Sequence, residues 1–348
     1  MRSSPVVAKT NVGPKPGQHL HPFYWNPCVL KKQNENGLDL ILPSLSLRLK
    51  QIKSSINVTA LDAHLTNGIT QPEGAIKLNQ DERQLLLELV ERGFVVHTTP
   101  EDHSSDDPTL KYLFATRTHT ANGLSLLRQS TPAVLGLGGV GSCVLQHLVG
   151  MGIKNYILLD ADTVEETNLN RQHIYSRRHI GQSKTRCAHE YIDERIKGAT
   201  VRSYQKRIMS LRDLTDLDIP KASIIINCLD EPQATIERIV YKYARAKKIA
   251  AISAGVGTND GYWGPLIIPS TSPSPNNFDK NQKHYERNSQ PHPDANIIPW
   301  SFGPTNTLVS TLLVKDVISW LASASPQHSL NRRTYINFNT LQITSEDQ

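Results

Sequence analysis

The sequence predicts an α/β fold with a mostly parallel sheet, preceded by a smaller unit of strands and helices. Three observations predict it. From about residue 131 onward, short apolar runs alternate with helical stretches, the order of βαβ units. A glycine turn, Gly136-Leu137-Gly138-Gly139-Val140-Gly141, joins the first apolar run to the first helical stretch. The 348 residues suffice for one small and one larger domain.

The first strand is Thr131-Pro132-Ala133-Val134-Leu135, an apolar run of the kind buried on both faces. Past Gly136, residues Val140, Val144, Leu145, Leu148 and Val149 recur at helical spacing. Strand, glycine turn and helix form the context of a phosphate-binding loop. The turn lets backbone approach a phosphate closely, and the helix N-terminus supplies free N–H groups and a positive dipole end. Gly136, Gly138, Gly139 and Gly141 are therefore nucleotide-binding candidates. A second strand, Asn155 to Leu159, ends at Asp160-Ala161-Asp162, where an acid takes a ribose hydroxyl. A plainer reading, glycines that only allow a close strand–helix crossing, does not account for the acid. This much fits NAD as well as ATP, because Gly136, Gly138 and Gly141 also satisfy the dinucleotide fingerprint.

The following residues favour a triphosphate. Arg171 lies in the polar loop Asn168-Leu169-Asn170-Arg171-Gln172, and Lys184 opens the helical stretch Ser183 to Lys197. Two cations at the strand ends suit a triphosphate better than a pyrophosphate diester. Another buried strand, Ala222 to Cys228, has Asp230 just past its C-terminal end. Doubly wound sheets place catalytic groups there, and a lone carboxylate beside phosphates commonly holds magnesium. Taken singly, Arg171 and Lys184 read equally well as surface charges, and Asp230 as a helix cap before Pro232. The site reading rests on all of them arriving in order.

The remaining elements continue the alternation. Pro232 to Lys247 reads as a helix, Ile249 to Ser253 as a strand, and Tyr262 to Ile268 as another. Between them Ala254-Gly255-Val256-Gly257 reads as a turn near the substrate crevice. Residues 270–300 read as a long loop with Lys280, Lys283 and Arg287; such a loop is functional or disordered. Its His284, His292 and Asp294 read as solvated side chains, not metal ligands. Leu308 to Leu321 reads as an apolar helix and Thr334 to Phe338 as a closing strand.

Residues 1–20, rich in Pro, Gly, Lys and Ser, read as disordered, with no apolar core of a signal peptide. Cys28 to Lys32 and Leu38 to Leu42 read as a hairpin around Asn34-Glu35-Asn36-Gly37. Val58 to Leu65 and Asp81 to Arg92 read as helices, the second ended by Gly93, and Phe94 to His97 as a wing-like strand. The pattern over 21–107 resembles the winged-helix peptide clamp of enzymes that modify ribosomally made peptides. An exposed strand edge in such a clamp captures a leader peptide by strand addition; the plainer reading is an accessory domain with a structural role.

From about Leu110 to Phe338 the chain resembles the ubiquitin-activating-type (E1-like, ThiF/MoeB) superfamily of adenylating enzymes, whose fold is Rossmann-like. The resemblance is carried by the glycine turn, Asp160-Ala161-Asp162, Asn168-Leu169-Asn170-Arg171-Gln172, Lys184 and Cys228-Leu229-Asp230. It implies ATP and magnesium as cofactors. Asp160 would hold the ribose, and Arg171 and Lys184 the triphosphate, with Asn168 in support; Asp230 would bind magnesium. Arg171, Lys184 and Asp230 are then the catalytic residues, with Asp162 and Gln172 alongside in the nucleotide site. The implied reaction is attack of a carboxylate on ATP, which needs no general base because the carboxylate is already ionised at neutral pH. The resemblance also implies a catalytic domain over 108–348 with the 270–300 loop crossing over the substrate. It further implies a homodimer paired through the Leu308–Leu321 helix, with a basic residue, Lys111 or Arg117, reaching the partner's phosphates.

Departures from the family pattern narrow the reading. Sulfur-carrier-activating members carry two Cys-x-x-Cys zinc pairs, whereas the four cysteines here, Cys28, Cys143, Cys187 and Cys228, are far apart. No zinc is therefore expected, nor a thioester-forming cysteine between Pro269 and Trp300. A clamp before an E1-like domain resembles the microcin-type and pantocin-type peptide-modifying enzymes. The missing zinc cysteines favour the pantocin type, which acts on glutamate side chains of a precursor peptide, with cyclisation and loss of water, in antibiotic biosynthesis. Adenylation of a peptide C-terminus, adenylation of a sulfur-carrier protein and, outside the superfamily, an NAD-dependent dehydrogenase stay open, as does an adenylate against a phosphate intermediate.

Composition bounds the partners. No apolar run reaches the ~20 residues of a membrane span, and few, scattered cysteines fit a cytoplasmic enzyme over a disulfide scaffold. The net charge of +6 includes a dense run, Arg177, Arg178, Arg186, Arg195, Arg202, Lys206, Arg207 and Arg212. It reads either as a field for ATP and an acidic peptide or as solvated helix faces. No module or aromatic interleaving for nucleic acid is visible.

Overall fold

The computed structural model describes residues 22–34, 37–42, 45–49, 56–69, 78–116, 118, 122–217, 219–233, 235–272, 301–324 and 327–347. The expectations for residues 1–20, Glu35-Asn36, Arg117 and most of the 270–300 loop lie outside the described residues. The chain divides into two compact units, Met1–Ala121 and Asn122–Gln348.

The first unit holds β1 (Phe23–Trp25), β2 (Leu30–Asn34), β3 (Gly37–Leu42), β4 (Leu45–Leu49), α1 (Val58–Asn67), α2 (Gln80–Glu91), β5 (Val95–His97), α3 (Pro100–His103) and α4 (Pro108–Ala115). β2, β3 and β4 form an antiparallel sheet in chain order, while β1 pairs antiparallel with β5. The two longer helices share one capping residue. Glu82 closes the capping box of α2, its Oε2 accepting from Asn79 N–H at 3.0 Å, and its Oε1 accepts from Asn57 N–H, the α1 cap, at 3.1 Å. The core beneath gathers Trp25, Leu40, Leu61, Leu65, Leu89 and Phe94. Asn26 sits in this unit with its amide donating to the Phe114 carbonyl at 2.9 Å. Lys111, on α4, pairs with Asp106 at 2.6 Å.

The second unit is built on an eight-stranded sheet in the order β13-β12-β11-β10-β9-β6-β7-β8. Its elements are α5 (Gly123–Gln129), β6 (Pro132–Leu135), α6 (Gly139–Gly150), β7 (Asn155–Leu159), α7 (Lys184–Asp193), β8 (Thr200–Tyr204), α8 (Leu211–Thr215), β9 (Ile224–Asn227), α9 (Ile236–Lys247), β10 (Ala250–Val256), β11 (Asp260–Trp263), α10 (Gly303–Leu321), β12 (Arg332–Asn337) and β13 (Ile343–Asp347). The five strands β10-β9-β6-β7-β8 run parallel, and β11, β12 and β13 extend the sheet antiparallel. The mostly parallel α/β fold expected from the sequence is the one observed. The central strands are largely apolar because helices cover both faces: Ile224, Ile225 and Ile226 are fully buried. Among the described residues no helix is long and apolar enough to cross a membrane.

Three local readings are corrected. Ala254 to Val256 is not a turn but the last part of β10, paired with β11. Tyr262 to Ile268 is not one strand; β11 stops at Trp263, and Leu266 and Ile267 resume only as single bridges to Leu330 and Ala251. The basic run is not confined to helix faces, since Arg202 lies on β8 and Lys206 and Arg207 in the loop after it. β8 shows no apolar alternation because it is an edge strand, largely exposed, with only Val201 and Tyr204 half-buried.

Candidate functional site: the carboxyl edge of the parallel strands

Because β6, β7, β8 and β9 are parallel, their chains leave the sheet on one edge, and the site is assembled from those exits. The glycine turn leaves β6 at Gly136, whose N–H donates to the Leu159 carbonyl at 2.7 Å and whose φ is +88°. A Cβ there would lie 2.7 Å from the Cys228 carbonyl oxygen, so only glycine lets the turn pass the end of β9. A Cβ on Gly141 would strike the Gly136 carbonyl, which lets α6 start directly over the turn.

At Gly138, the α6 N-cap, the surroundings are different. A Cβ would meet only the Gln172 amide nitrogen, at 4.0 Å, and no side chain caps the helix. The first N–H groups of a 12-residue helix thus have neither a side-chain cap nor a crowding Cβ in front of them, the arrangement that binds phosphate. α10 reinforces this end. Asn306, 3% exposed, packs against Gly139, and Ser310 Oγ lies 3.0 Å from the Val140 carbonyl and 2.6 Å from that of Asn306.

Asp160 organises the β7 exit. It is 5% exposed; Oδ2 accepts from Leu137 N–H at 2.6 Å and Oδ1 from Asp162 N–H at 2.8 Å. Burial pushes its carboxyl above the usual range, against the opposing pull of Lys184 and the two N–H donors. It therefore ties the glycine turn to the acid loop while keeping acceptor capacity for a ligand hydroxyl.

Lys184 reaches the same place through an excursion of the chain. Residues 163–183 leave β7 and return, pinned by bridges between Thr163 and Ser183 and between Val164 and Ile180. The return sets Lys184 at the first position of α7, with its N–H on the Asp162 carbonyl at 3.0 Å and its Nζ 3.2 Å from Asp162 Oδ2. Its side chain is only 7% exposed, so this is a positioned cation and not a surface charge.

The excursion carries the Asn168–Gln172 element. Asn168, buried, takes Glu165 N–H on Oδ1 at 3.2 Å, and its carbonyl takes the N–H groups of Arg171 and Gln172 at 3.1 and 3.0 Å. Gln172 is 2% exposed, and its Oε1 has no hydrogen-bond partner among the described residues. Arg171 folds back on its own loop, Nη1 donating to Thr167 O at 2.8 Å and Asn170 Oδ1 at 3.0 Å, so it is not brought onto Lys184 in this state. Asp230 is exposed past β9, at the expected edge of the sheet, and among the described residues no cluster of His, Cys, Asp or Glu forms a metal site.

Three residues of the site escaped sequence reasoning. Tyr175 closes the excursion onto the glycine turn, its hydroxyl donating to Leu137 O at 3.0 Å; burial, then the Asp160 charge, hold it well above the usual tyrosine pKa and keep it a donor. Asn306 comes from 165 residues after Gly141 and has no local signal. Arg207, from the loop after β8, donates through Nη2 to Asp162 Oδ1 at 3.3 Å and pairs with Glu231 through Nη1. Its place in the basic run was the only available signal for it.

The residues fit a nucleotide: an uncapped helix end, an open glycine, a buried amide with an unused acceptor, and one cation delivered by the return of the chain. Among solved structures, E. coli MccB with ATP superposes at TM-score 0.69 with 22% identity, covering 93% of this chain and 96% of that one. E. coli MccB with MccA-N7isoASN gives 0.68 and 21%, covering 94% and 96%, and PaaA gives 0.64 and 17%, covering 92% and 98%. At these identities the likeness is one of fold. Curated relatives match shorter stretches. The NEDD8-activating enzyme E1 catalytic subunit of Dictyostelium discoideum is 39% identical over 75 residues, 22% of this chain and 17% of that protein. The ubiquitin-activating enzyme E1-like protein of Saccharomyces cerevisiae is 29% identical over 145 residues, 42% of this chain and 22% of that protein. The matches thus span less than a quarter of either relative's length. The model of the ThiF family matches residues 113–347, and the chain, so matched over more than half its length, belongs to the ThiF family.

Proposed function

We propose that the chain is an ATP- and magnesium-dependent enzyme that activates a carboxylate of a ribosomally made precursor peptide. The preferred carboxylate is a glutamate side chain, and the outcome is cyclisation with loss of water, on the way to a peptide antibiotic. The observation that carries the reading is Lys184, held nearly buried at the Asp162 carboxylate and within electrostatic reach of Asp160, which binds the glycine turn that leads into the uncapped α6. A buried, oriented cation next to a helix end stabilises charge developing on a transferring phosphorus far better than a mobile surface lysine. The solved fold neighbours support the substrate class, since MccB has been crystallised with ATP and with MccA, and PaaA shares the fold.

In this reading ATP lies with its phosphates at Gly138 and the α6 N-terminus and its ribose toward Asp160. Lys184 and Arg171 offset the phosphate charge; Arg171 swings from its own loop to do so. Asp230 holds magnesium, which supplies further neutralisation when bound. The substrate carboxylate attacks phosphorus, and either pyrophosphate or ADP leaves. A backbone amide nitrogen then attacks the activated carbonyl, losing its proton as AMP or phosphate departs, so that the peptide loses one water overall. The first unit acts as the peptide clamp, the enzyme is a cytoplasmic homodimer, and the basic run attracts an acidic peptide.

The test is the intact mass of the short peptide encoded nearest the gene, after incubation with the protein and magnesium–ATP. ATP-dependent loss of water establishes the reading; a retained nucleotide moves it to C-terminal adenylation; no change, with a small carrier protein adenylated instead, overturns it. AMP or ADP as the by-product assigns the intermediate. Lys184→Ala is expected to slow the conversion by about 10²–10³-fold, as for removal of one preorganised charge-stabilising group.

A further inference from the structure

Arg207 has no individual role in the proposed chemical step, yet its contacts link two different strand exits. The glycine turn is bound on one side to the β7 exit, through Leu137 N–H and Asp160 Oδ2 at 2.6 Å. On its other side it touches the β9 exit, where Gly136 leaves no room for a Cβ beside the Cys228 carbonyl. Asp162 follows Asp160 by two residues, and Glu231 follows Cys228 by three. Arg207 joins these two, with Nη2 at 3.3 Å from Asp162 Oδ1 and Nη1 paired with Glu231. The contacts therefore close a ring: glycine turn, Asp160 to Asp162, Arg207, Glu231 back to Cys228, and the glycine turn again.

The sheet order makes the span unusual. β8, which leads to Arg207, lies three strands from β9, a separation of roughly 14 Å at ordinary strand spacing. A residue after β8 thus reaches across β7 and β6 to a residue after β9. The links of the ring are unequal. Asp160 is 5% exposed, whereas the side chains of Asp162, Arg207 and Glu231 are 53%, 54% and 64% exposed. Exposed ion pairs are screened by salt and individually weak, so the ring opens at Arg207 before it opens anywhere else.

We propose that Arg207 is the clasp of the nucleotide crevice: it lets go of Asp162 and Glu231 to admit ATP, regains them once ATP is in place, and so sets how long ATP and the activated acyl group are retained. The proposal rests on the ATP reading above. Arg207 acts as a positioning residue through two carboxylates and need not touch the reacting atoms. Retention matters for this chemistry because an activated carboxylate that escapes into water is hydrolysed before the amide nitrogen attacks.

The test is the dissociation rate of a fluorescent ATP analogue, followed by stopped flow with excess unlabelled ATP. It is measured for the full chain, Arg207→Met, Glu231→Gln and the double variant, at low and high salt. Each single variant is expected to release the analogue about 1.5- to fivefold faster, the range an ion pair of this kind supports. The double variant is expected to be no faster than Arg207→Met, and salt to accelerate the parent chain toward the variants while leaving them nearly unchanged. Unchanged rates in both singles overturn the clasp. So does a Glu231→Gln effect that persists in the Arg207→Met background, which would place Glu231 on the metal instead. Failure of the parent chain to bind the analogue at all is a different result: it overturns the ATP reading, and the clasp with it.

Discussion

Asp160 shows how a single side chain trades stability for placement. Its carboxylate is nearly buried and spends an oxygen on each of two backbone N–H groups, those of Leu137 and Asp162. Desolvation outweighs these donors and the nearby Lys184, so the folded pKa is raised above that of an ordinary aspartate. The sign follows from linkage. A raised folded pKa means that the native state holds the proton more tightly, so this residue's contribution to stability is full below the unfolded pKa and is lost as pH rises through the folded one. Urea melts of the parent chain and Asp160→Asn over acid to neutral pH are expected to show the parent losing stability relative to the variant as pH rises through that window, with a constant difference above it. A parent chain that gains on the variant with rising pH would contradict the burial argument. The ionised form that costs stability at neutral pH is the form that accepts from two N–H donors and, in the proposed function, from a ribose hydroxyl, which is why such a costly group belongs here.

At the scale of elements, the site is held by helices and loops that contribute no chemistry. α10 is the main support. Its Ser310 and Asn306 pack against α6 next to the glycine turn. Further along, Asp316, 1% exposed, takes three donors: His328 N–H and Ser329 N–H at 2.9 Å each, and Trp263 Nε1–H at 3.3 Å. This one carboxylate ties α10 to β11 and to the loop before β12. Removing it leaves buried donors without an acceptor, which costs far more than a hydrogen bond contributes net. Asp316→Ala is therefore expected to lower unfolding free energy by about 3 kcal/mol, read as a shift of the denaturant midpoint at constant slope. A change under about 0.5 kcal/mol, the range of an ordinary surface substitution, would show that the tie is not structural. The Arg333–Glu237 pair, joining β12 to α9, is a second tie of this class.

The whole molecule separates into two units, Met1–Ala121 and Asn122–Gln348. Apart from Lys111 and Arg117, expected to act across a dimer, the candidate nucleotide-site residues lie in Asn122–Gln348, which also contains its own core, including Leu135, Ile225, Tyr243 and Ala251. Residues 122–348 expressed alone are accordingly expected to fold cooperatively, by circular dichroism and thermal melting, and to lose modification of the precursor peptide, which the proposed clamp would deliver. Retention of full peptide activity by this piece would remove the clamp from the first unit.

What the sequence determined by itself was local or periodic. The strand, glycine turn and helix of the nucleotide loop occupy consecutive residues, and only glycine satisfies the close approaches at Gly136 and Gly141. The buried strands were legible because covering both faces demands an unbroken apolar run, as in Ile224–Ile226. β8 was not legible, because an exposed edge strand needs no such run. What the tertiary structure decided was which charges meet. Lys184 and Asp162 are 22 residues apart and touch only because the intervening excursion returns on itself. Arg207 and Glu231 come from exits that the strand order separates by β6 and β7. Ion pairs carry no periodicity and little local preference; they depend on where the backbone delivers each side chain, and that is settled by strand order and loop return, which no window of sequence contains.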